Sequence, residues 1–424
     1  MQAVSKQISA VALGLGLCTT AGHATNGDMF IGIGPVSRSM GGTGVASPQD
    51  AVSAVFSNPA AMCLSDVCSQ PQLDAALTIF MPEPSTSINF DGGSYRAKSE
   101  ESNYYIPAIG VSFPIGGATS RWRMGFAAYG ISGLGVDYRD SAIDNDSFFY
   151  FGGDMYAPMA AGVYTDLAIA KVAPSLAYAI TPDLSLGASL HCDYATLDLG
   201  DGKKNDLGFG IQLGMVWKPM KDVTVGLTYI SPQSTTFDNV TDFDGDGSGD
   251  SLELEIPQQV AVGVAWTGLD DRLLVELDGR WLNWSNAAGY DEFDWTDQWV
   301  VGLGVQYAIV PKKVFLRAGY NFGNNPVNEH NGWTGGSMTT VQGKSMPTYY
   351  YEAFRTVGFP AVVEHHMTLG VGWAVRDDLV LNIGWMHAFN NSISGWGTDF
   401  YGNKVSYKSE LYEDSIELGL TWRY

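Results

Sequence analysis

From Gln72 to Tyr424 the sequence alternates apolar and small or polar residues with a period of two, and no other feature constrains its fold so tightly. In Ile416, Leu418, Leu420, Trp422 and Tyr424 every second side chain is apolar, with Glu417, Gly419, Thr421 and Arg423 between them. Successive strand side chains point to opposite faces, so one face of this segment wants lipid and the other wants water or small packing partners. Leu207 to Trp217 alternates in the same way against Gly208, Gly210, Gln212 and Gly214, and Trp299 to Tyr307 against Gly302, Gly304 and Gln306. Fourteen such segments can be counted: 72–80, 103–113, 121–129, 172–180, 183–198, 207–217, 222–230, 256–267, 272–283, 299–308, 312–322, 364–374, 378–388 and 414–424. Connections after even-numbered segments are short, as in Thr181-Pro182-Asp183 and Arg376-Asp377, and most after odd-numbered ones are long. An even strand number with short turns at one end and long loops at the other is the pattern of a bacterial outer-membrane barrel. A soluble β-sandwich also alternates, but it has no need for aromatic residues at so many strand ends on the apolar face. The predicted fold is all-β, a 14-stranded antiparallel transmembrane β-barrel spanning residues 72–424.

Composition agrees. Fifty-one glycines, 19 Phe, 21 Tyr and 12 Trp, with 16% charged residues, suit strands that each show two different faces. After the first 25 residues no apolar run reaches the roughly 20 residues of a membrane-spanning helix. A net charge of −22 argues against nucleic acid or an anionic membrane surface as a partner. Residues 1–24 read as an export signal: Lys6, then an apolar stretch from Ile8 to Leu17, then Gly22-His23-Ala24. In an oxidising compartment Cys63 and Cys68 are candidates for a small loop-closing disulfide, while Cys192 stands alone in a strand.

Fourteen strands enclose more space than wall side chains can fill, so the lumen is either wet or plugged. Residues 25–71 precede the first strand and are rich in Gly27, Gly32, Gly34, Gly41, Gly42 and Gly44. The segment is long for a strand leader and apolar for a free tail. It reads as an N-terminal hatch plugging the lumen, the alternative being a disordered periplasmic extension.

The run Ala24 to Gly27, then Ser37-Arg38-Ser39-Met40-Gly41-Gly42-Thr43-Gly44-Val45-Ala46, then Asn58-Pro59-Ala60-Ala61-Met62, resembles the start of the FadL-type long-chain fatty acid transporter family. With the fourteen strands and the aromatic C-terminus, the resemblance covers the whole mature chain. It implies a monomeric barrel that takes up hydrophobic molecules passively across the bacterial outer membrane. Ligand would collect among external loops, pass to an internal pocket, and leave sideways into the membrane through a gap made by a kink in the third strand. Fatty acids and aromatic hydrocarbons are both carried within that family. No cofactor is implied, and the surroundings are outer-membrane lipid and lipopolysaccharide.

Particular residues fit this scheme. Two external segments are more apolar than solvated loops should be: Phe148, Phe149, Phe151 and Tyr156 in one, and Tyr350, Phe354 and Phe359 in the other. They form a substrate landing site, or they pack together to close the barrel mouth. In the third strand Gly125 and Gly130 are candidates for the lateral gap, since glycine within a strand often marks a bend. A fatty-acid carboxylate would need a cation facing the lumen. By strand parity Arg123, Arg280, Arg317, Arg423, Glu276, Asp278 and His366 point inward. Arg280 shares its face with two acids and reads as part of an ion network, which leaves Arg317 as the head-group candidate.

One motif stands apart. Asp242, Asp244, Asp246, Ser248, Asp250 and Glu253 occupy ligand positions one, three, five, seven, nine and twelve of an EF-hand loop, with Gly247 at position six for the sharp turn. Their flanks read as strand, so the loop is either a structural calcium site or a solvated acidic turn. His365 and His366 beside Glu364 raise an outer-membrane lipid hydrolase as a rival, but no catalytic constellation stands out and the chain reads as no enzyme.

Overall fold

The computed structural model describes residues 26–64, 70–100, 103–117, 120–141, 143 and 163–424. The export signal at 1–24, Cys68, and the first apolar external segment with Phe148, Phe149, Phe151 and Tyr156 lie outside the described residues. No described helix is long and apolar enough to cross a membrane.

Fourteen strands form the barrel: β1 (Gln72–Pro82), β2 (Tyr104–Pro114), β3 (Trp122–Asp137), β4 (Tyr164–Thr181), β5 (Leu184–Asp198), β6 (Lys204–Met220), β7 (Val223–Ile230), β8 (Gln259–Gly268), β9 (Leu273–Leu282), β10 (Gln298–Val310), β11 (Val314–Gly323), β12 (His365–Arg376), β13 (Leu379–Thr398) and β14 (Lys404–Arg423). Each pairs antiparallel with its neighbours in sequence, and β1 closes the ring on β14 from Gln72↔Arg423 to Pro82↔Glu413. Closure leaves no edge strand, which a lipid-embedded sheet cannot tolerate. Every expected segment carries one strand. Leu207, Phe209, Trp299, Ile416 and Trp422 stand exposed on the outer face, while Glu276, Asp278, His366 and Arg317 are buried within.

Several strands outrun their expected bounds. β3 continues to Asp137, β13 to Thr398, and β14 begins ten residues early at Lys404. Lipid-facing apolar residues mark only the membrane band; above it the ladder continues with polar side chains outward. Two further hairpins stand on the external side, Ser85–Phe90 with Gly93–Lys98 and Gln233–Thr241 with Asp250–Ile256.

Residues 26–64 lie inside the ring, as short helices α1 (Gly34–Arg38) and α2 (Ala51–Ser57) and a 3-10 turn (Pro59–Cys63). The wall glycines explain the fit. A Cβ added to Gly110 of β2 would sit 2.6 Å from Val52, at Gly187 of β5 2.7 Å from the Ala60 Cα, and at Gly419 of β14 2.7 Å from Pro35. Inward glycines on strands around the ring thus let the segment's backbone press against the wall. Gly41 and Gly42 answer from the other side with φ of +66° and +76°, a region that costs other residues strain.

Candidate transport path

The segment inside the barrel has little secondary structure of its own, so its backbone donors and acceptors need partners from the wall. Two carboxylates of β9 supply four. Asp278 accepts from the Gly44 and Val45 N–H groups at 3.0 and 3.1 Å, and Glu276 from Ala46 and Ser47 at 2.7 and 3.1 Å. Arg280 on the same strand face donates to the Ile31 carbonyl at 3.1 Å and to that of Gly42. The three charges, expected to form a wall network, also grip the segment. On β1, Asp74 accepts from the Ala51 N–H at 2.7 Å. On β14, Glu417 accepts from Arg38 Nε at 2.7 Å, and Ser415 from Arg38 Nη2 at 3.0 Å. The sequence could place these groups inward but could not say which would meet which.

Asn58-Pro59-Ala60 has a definite mechanical job. The Asn58 amide donates to the carbonyls of Val45, Met215 and Leu227, and its oxygen caps the 3-10 turn through the Ala60 N–H at 3.1 Å. Pro59 fits the first turn, where a missing N–H costs nothing. Ala60 lies against Gly187, and its carbonyl accepts from Ser185 at 2.7 Å.

β3 parts from β2 midway. Their pairing runs from Pro114↔Arg123 to Ala108↔Tyr129 and stops, while β3 continues along β4 with a bulge between Gly130 and Ser132. The edge that β2 vacates is taken by the start of the inner segment: Phe30 N–H donates to the Ile131 carbonyl at 3.0 Å, and Gly133 N–H to that of Asp28 at 3.3 Å. The Asp28 carboxylate accepts from Tyr290 in the β9–β10 loop. Of the expected gap residues, Gly130 adjoins the bulge, and a Cβ there would meet Ile106 of β2 at 2.7 Å. Gly125 instead faces Met62 and Val55 of the inner segment, within the paired part of the strand.

Beside this seam lies a cavity lined by Met29, Phe56, Tyr129, Ile131, Lys171 and Arg280, among others. Lys171 Nζ is 2.9 Å from His191 Nδ1, 2.5 Å from Gln233 Oε1 and 3.4 Å from Asp193. An ammonium can only donate, so His191 accepts on Nδ1 and carries its proton on Nε2, 3.3 Å from Gln212 Oε1. Gln212 in turn donates to the Phe56 and Ser57 carbonyls at 3.0 and 3.2 Å, which joins this wall cluster to the end of α2. Lys171 escaped the sequence reading because it stands just before the apolar window taken as the fourth strand. Arg317, the expected head-group residue, is buried away from the cavity lining, with Gln306 at 2.7 Å and Asn382 at 2.9 Å.

The external mouth is filled by α3 (Thr348–Ala353), a π-turn (Phe354–Gly358) and the chain on to Val363. Tyr350, Phe354 and Phe359 are no more than 1% exposed, so they present no open landing patch in this structure. Phe354 packs on Phe243, Phe293 and Phe359 instead. Burying so much apolar surface against neighbouring loops is what drives the closure. Thr165 of β4 holds the Gly358 carbonyl at 2.8 Å and Asn391 of β13 that of Val362 at 2.8 Å, so this cap spans the mouth.

The acidic loop brings together three of its six expected calcium ligands. Among the described residues only Asp242, Asp244 and Asp250 converge, and Lys344 Nζ lies 2.5 Å from Asp250 and 3.4 Å from Asp244. Asp246 turns to the Ser248 N–H, and Glu253 is held in a hairpin strand opposite Thr236. Cys63 lies on the inner segment with its sulfur 3.8 Å from the Arg121 carbonyl; the expected partner Cys68 is outside the described residues.

Residues 31–204 and 196–333 match the family model described as outer membrane protein transport protein (OMPP1/FadL/TodX). The chain belongs to this family. Its fold agrees with the P. putida toluene transporter TodX (TM-score 0.65, 16% identity, covering 93% of this chain and 99% of that one). A Pseudomonas aeruginosa FadL homologue matches with a TM-score of 0.64 and 14% identity over 94% and 99% of the two chains. The Ralstonia pickettii toluene transporter TbuX gives 0.61 and 17% over 93% and 98%. No curated protein matches the sequence. As a member of the FadL/TodX family the protein is an outer-membrane β-barrel transporter of hydrophobic compounds.

Proposed function

We propose that this FadL-type barrel, acting as a monomer, carries long-chain fatty acids from the cell exterior into the outer membrane. The observation that carries the choice of substrate is the cavity beside the β2–β3 seam. Its lining combines an apolar set, Met29, Phe56, Tyr129 and Ile131, with Lys171 and Arg280 on its wall. A neutral hydrocarbon has no use for buried cations. A carboxylate is a stronger acceptor than the imidazole and amide that face Lys171 beside its buried partner Asp193, and would replace those two. The head group is therefore assigned to Lys171 with Arg280, not to Arg317.

In this reading the external cap moves to admit an amphiphile, whose acyl chain then replaces the cap's own aromatic contacts. The residues 26–64 act as the hatch that closes the axial route. Once the carboxylate reaches Lys171 and Arg280, Arg280 loosens its hold on the Ile31 and Gly42 carbonyls. The residues at 28–30 withdraw from the β3 edge, and the ligand leaves between β2 and β3. No chemistry and no cofactor is involved.

Uptake of labelled oleate and of toluene by cells with and without the protein tests this. Loss of oleate uptake in the deletion strain, and a tenfold or greater fall with Lys171→Met, is expected. Loss of toluene uptake alone would transfer the route to aromatic hydrocarbons, and unchanged uptake of both would end the transport reading.

A further inference from the structure

The chain is strongly acidic, yet four of its 23 lysines and arginines stand together on one external sheet. There β14 continues upward beside the hairpin Ser85–Phe90 and Gly93–Lys98, with β13 on its other side. Burial alternates without a break along β14, so Lys404 and Lys408 share the outward face of Ile416 and Leu418. Register then fixes the rows. Arg96, Ser87, Lys408 and Ser394 lie side by side across four strands, and Lys98, Ser85, Glu410 and Ser392 form the row below. Ser94, Asn89, Ser406 and the exposed Trp396 stand above, followed by Lys404.

The height of this face is as informative as its charge. An apolar band about 25 Å tall, crossed by strands tilted about 40°, takes roughly ten residues of strand. Counted from Trp422 at the periplasmic rim, the band ends near Tyr412, level with Phe389, which is exposed where an external aromatic girdle belongs. Lys408 is four residues further on, roughly 10 Å into the head-group layer. Three acids moderate the charge: Glu410 at 2.7 Å from Lys408, Glu83 at 3.8 Å from Lys98, and Glu329, which accepts from the Ser394 hydroxyl at 3.1 Å. Both ion pairs are at least a third exposed and therefore weak. Among the described residues Arg96 and Lys404 have no acidic partner within 4.0 Å.

We propose that this face binds the phosphorylated sugar head group of an outer-leaflet glycolipid. Arg96, Lys98 and Lys408 meet the phosphates, and the serine hydroxyls and Asn89 meet the sugar. Cations beside hydroxyls at head-group height fit that ligand, whereas a cation-poor face would need bridging divalent ions to hold it. The inference rests on the outer-membrane location alone and stands whether or not fatty acid is the cargo.

Native mass spectrometry of the detergent-purified full chain with lipopolysaccharide, with the same lipopolysaccharide dephosphorylated, and with millimolar inorganic phosphate tests it. The parent protein is expected to retain the phosphorylated form, and dephosphorylation to weaken binding at least tenfold. A variant with Arg96→Ser, Lys98→Ser and Lys408→Ser should lose roughly a hundredfold, at about fivefold per cation, while keeping its heat-modifiable migration and oleate uptake. Glu410→Gln should tighten binding about twofold, an effect that a purely structural role for the sheet would not produce. Equal binding of the dephosphorylated lipid, unchanged binding in the triple variant, or inorganic phosphate displacing the lipid completely would overturn the proposal.

Discussion

At the scale of single residues, the inner segment is held by charge more than by shape. Arg38 and Glu417 are 1% and 0% exposed as side chains, and their contact ties α1 to β14. Breaking a buried pair leaves an uncompensated charge, whereas replacing both partners by apolar residues can be nearly neutral. Glu417→Gln should therefore cost about 3 kcal/mol in resistance to denaturant, read as loss of the heat-modifiable band, and the double variant Arg38→Met with Glu417→Leu should recover most of it. Asn58→Ala should act differently. Two N–H donors shared among three carbonyls are lost, at about 1 kcal/mol each, and entry of small polar dyes through the loosened lumen should rise while the barrel itself keeps its migration. Inward placement of Arg123, Arg280, Arg317, Glu276, Asp278 and His366 was legible in the sequence because a membrane wall leaves each side chain only two directions. Their partners were not. Which carboxylate meets which N–H depends on how a Gly-rich segment lies against a glycine-lined wall, and no periodicity encodes that.

At the scale of elements, the cap in the mouth is joined to its neighbours by a titratable clamp. His330 Nδ1 is 2.7 Å from Glu352 Oε1 in α3, and its Nε2 is 2.7 Å from Asp294 Oδ2 in the β9–β10 loop. Both ring nitrogens face acceptors, so only the doubly protonated ring satisfies both. Hydrogen bonding to Glu352 raises the His330 pKa above the ordinary histidine value, against burial and the nearby Arg355, with Asp294 adding to the rise. The folded state thus holds this proton more tightly than the open chain does. The clamp's contribution is complete below about pH 6.5 and is lost as pH rises through the raised value. Hydrogen exchange over residues 348–358 should quicken on going from about pH 5 to about pH 9 beyond the intrinsic rate change, and His330→Gln should abolish that excess. An equal pH response in the variant would show that another group governs the cap. The strands themselves were read correctly in number and order, but not in length. Lipid marks a strand only where it touches, so the extensions that carry the cap and the serine-rich sheet had no apolar signature to find.

At the scale of the whole molecule, the question is which way cargo leaves. The barrel offers two exits, along the axis past residues 26–64 and sideways where β3 leaves β2 beyond the Ala108↔Tyr129 pair. The axial route would require releasing Glu276, Asp278, Arg280, Asp74 and Glu417 from the segment together. The lateral route requires that residues 28–30 leave one strand edge, where two backbone hydrogen bonds of 3.0 and 3.3 Å and the Tyr290 contact to Asp28 hold them, and that Arg280 release the Ile31 carbonyl. On that difference the seam is the easier opening. A side chain at Gly130 would meet that of Ile106 across it, so Ile106→Cys with Gly130→Cys should form a disulfide that bolts β2 to β3. Oxidised cells are expected to lose most oleate uptake and to regain it on reduction, while each single variant retains uptake in both conditions. Undiminished uptake with the seam shown to be cross-linked by mass spectrometry would move the exit to the axis, and the five anchors on the inner segment would then be the barrier that transport has to overcome.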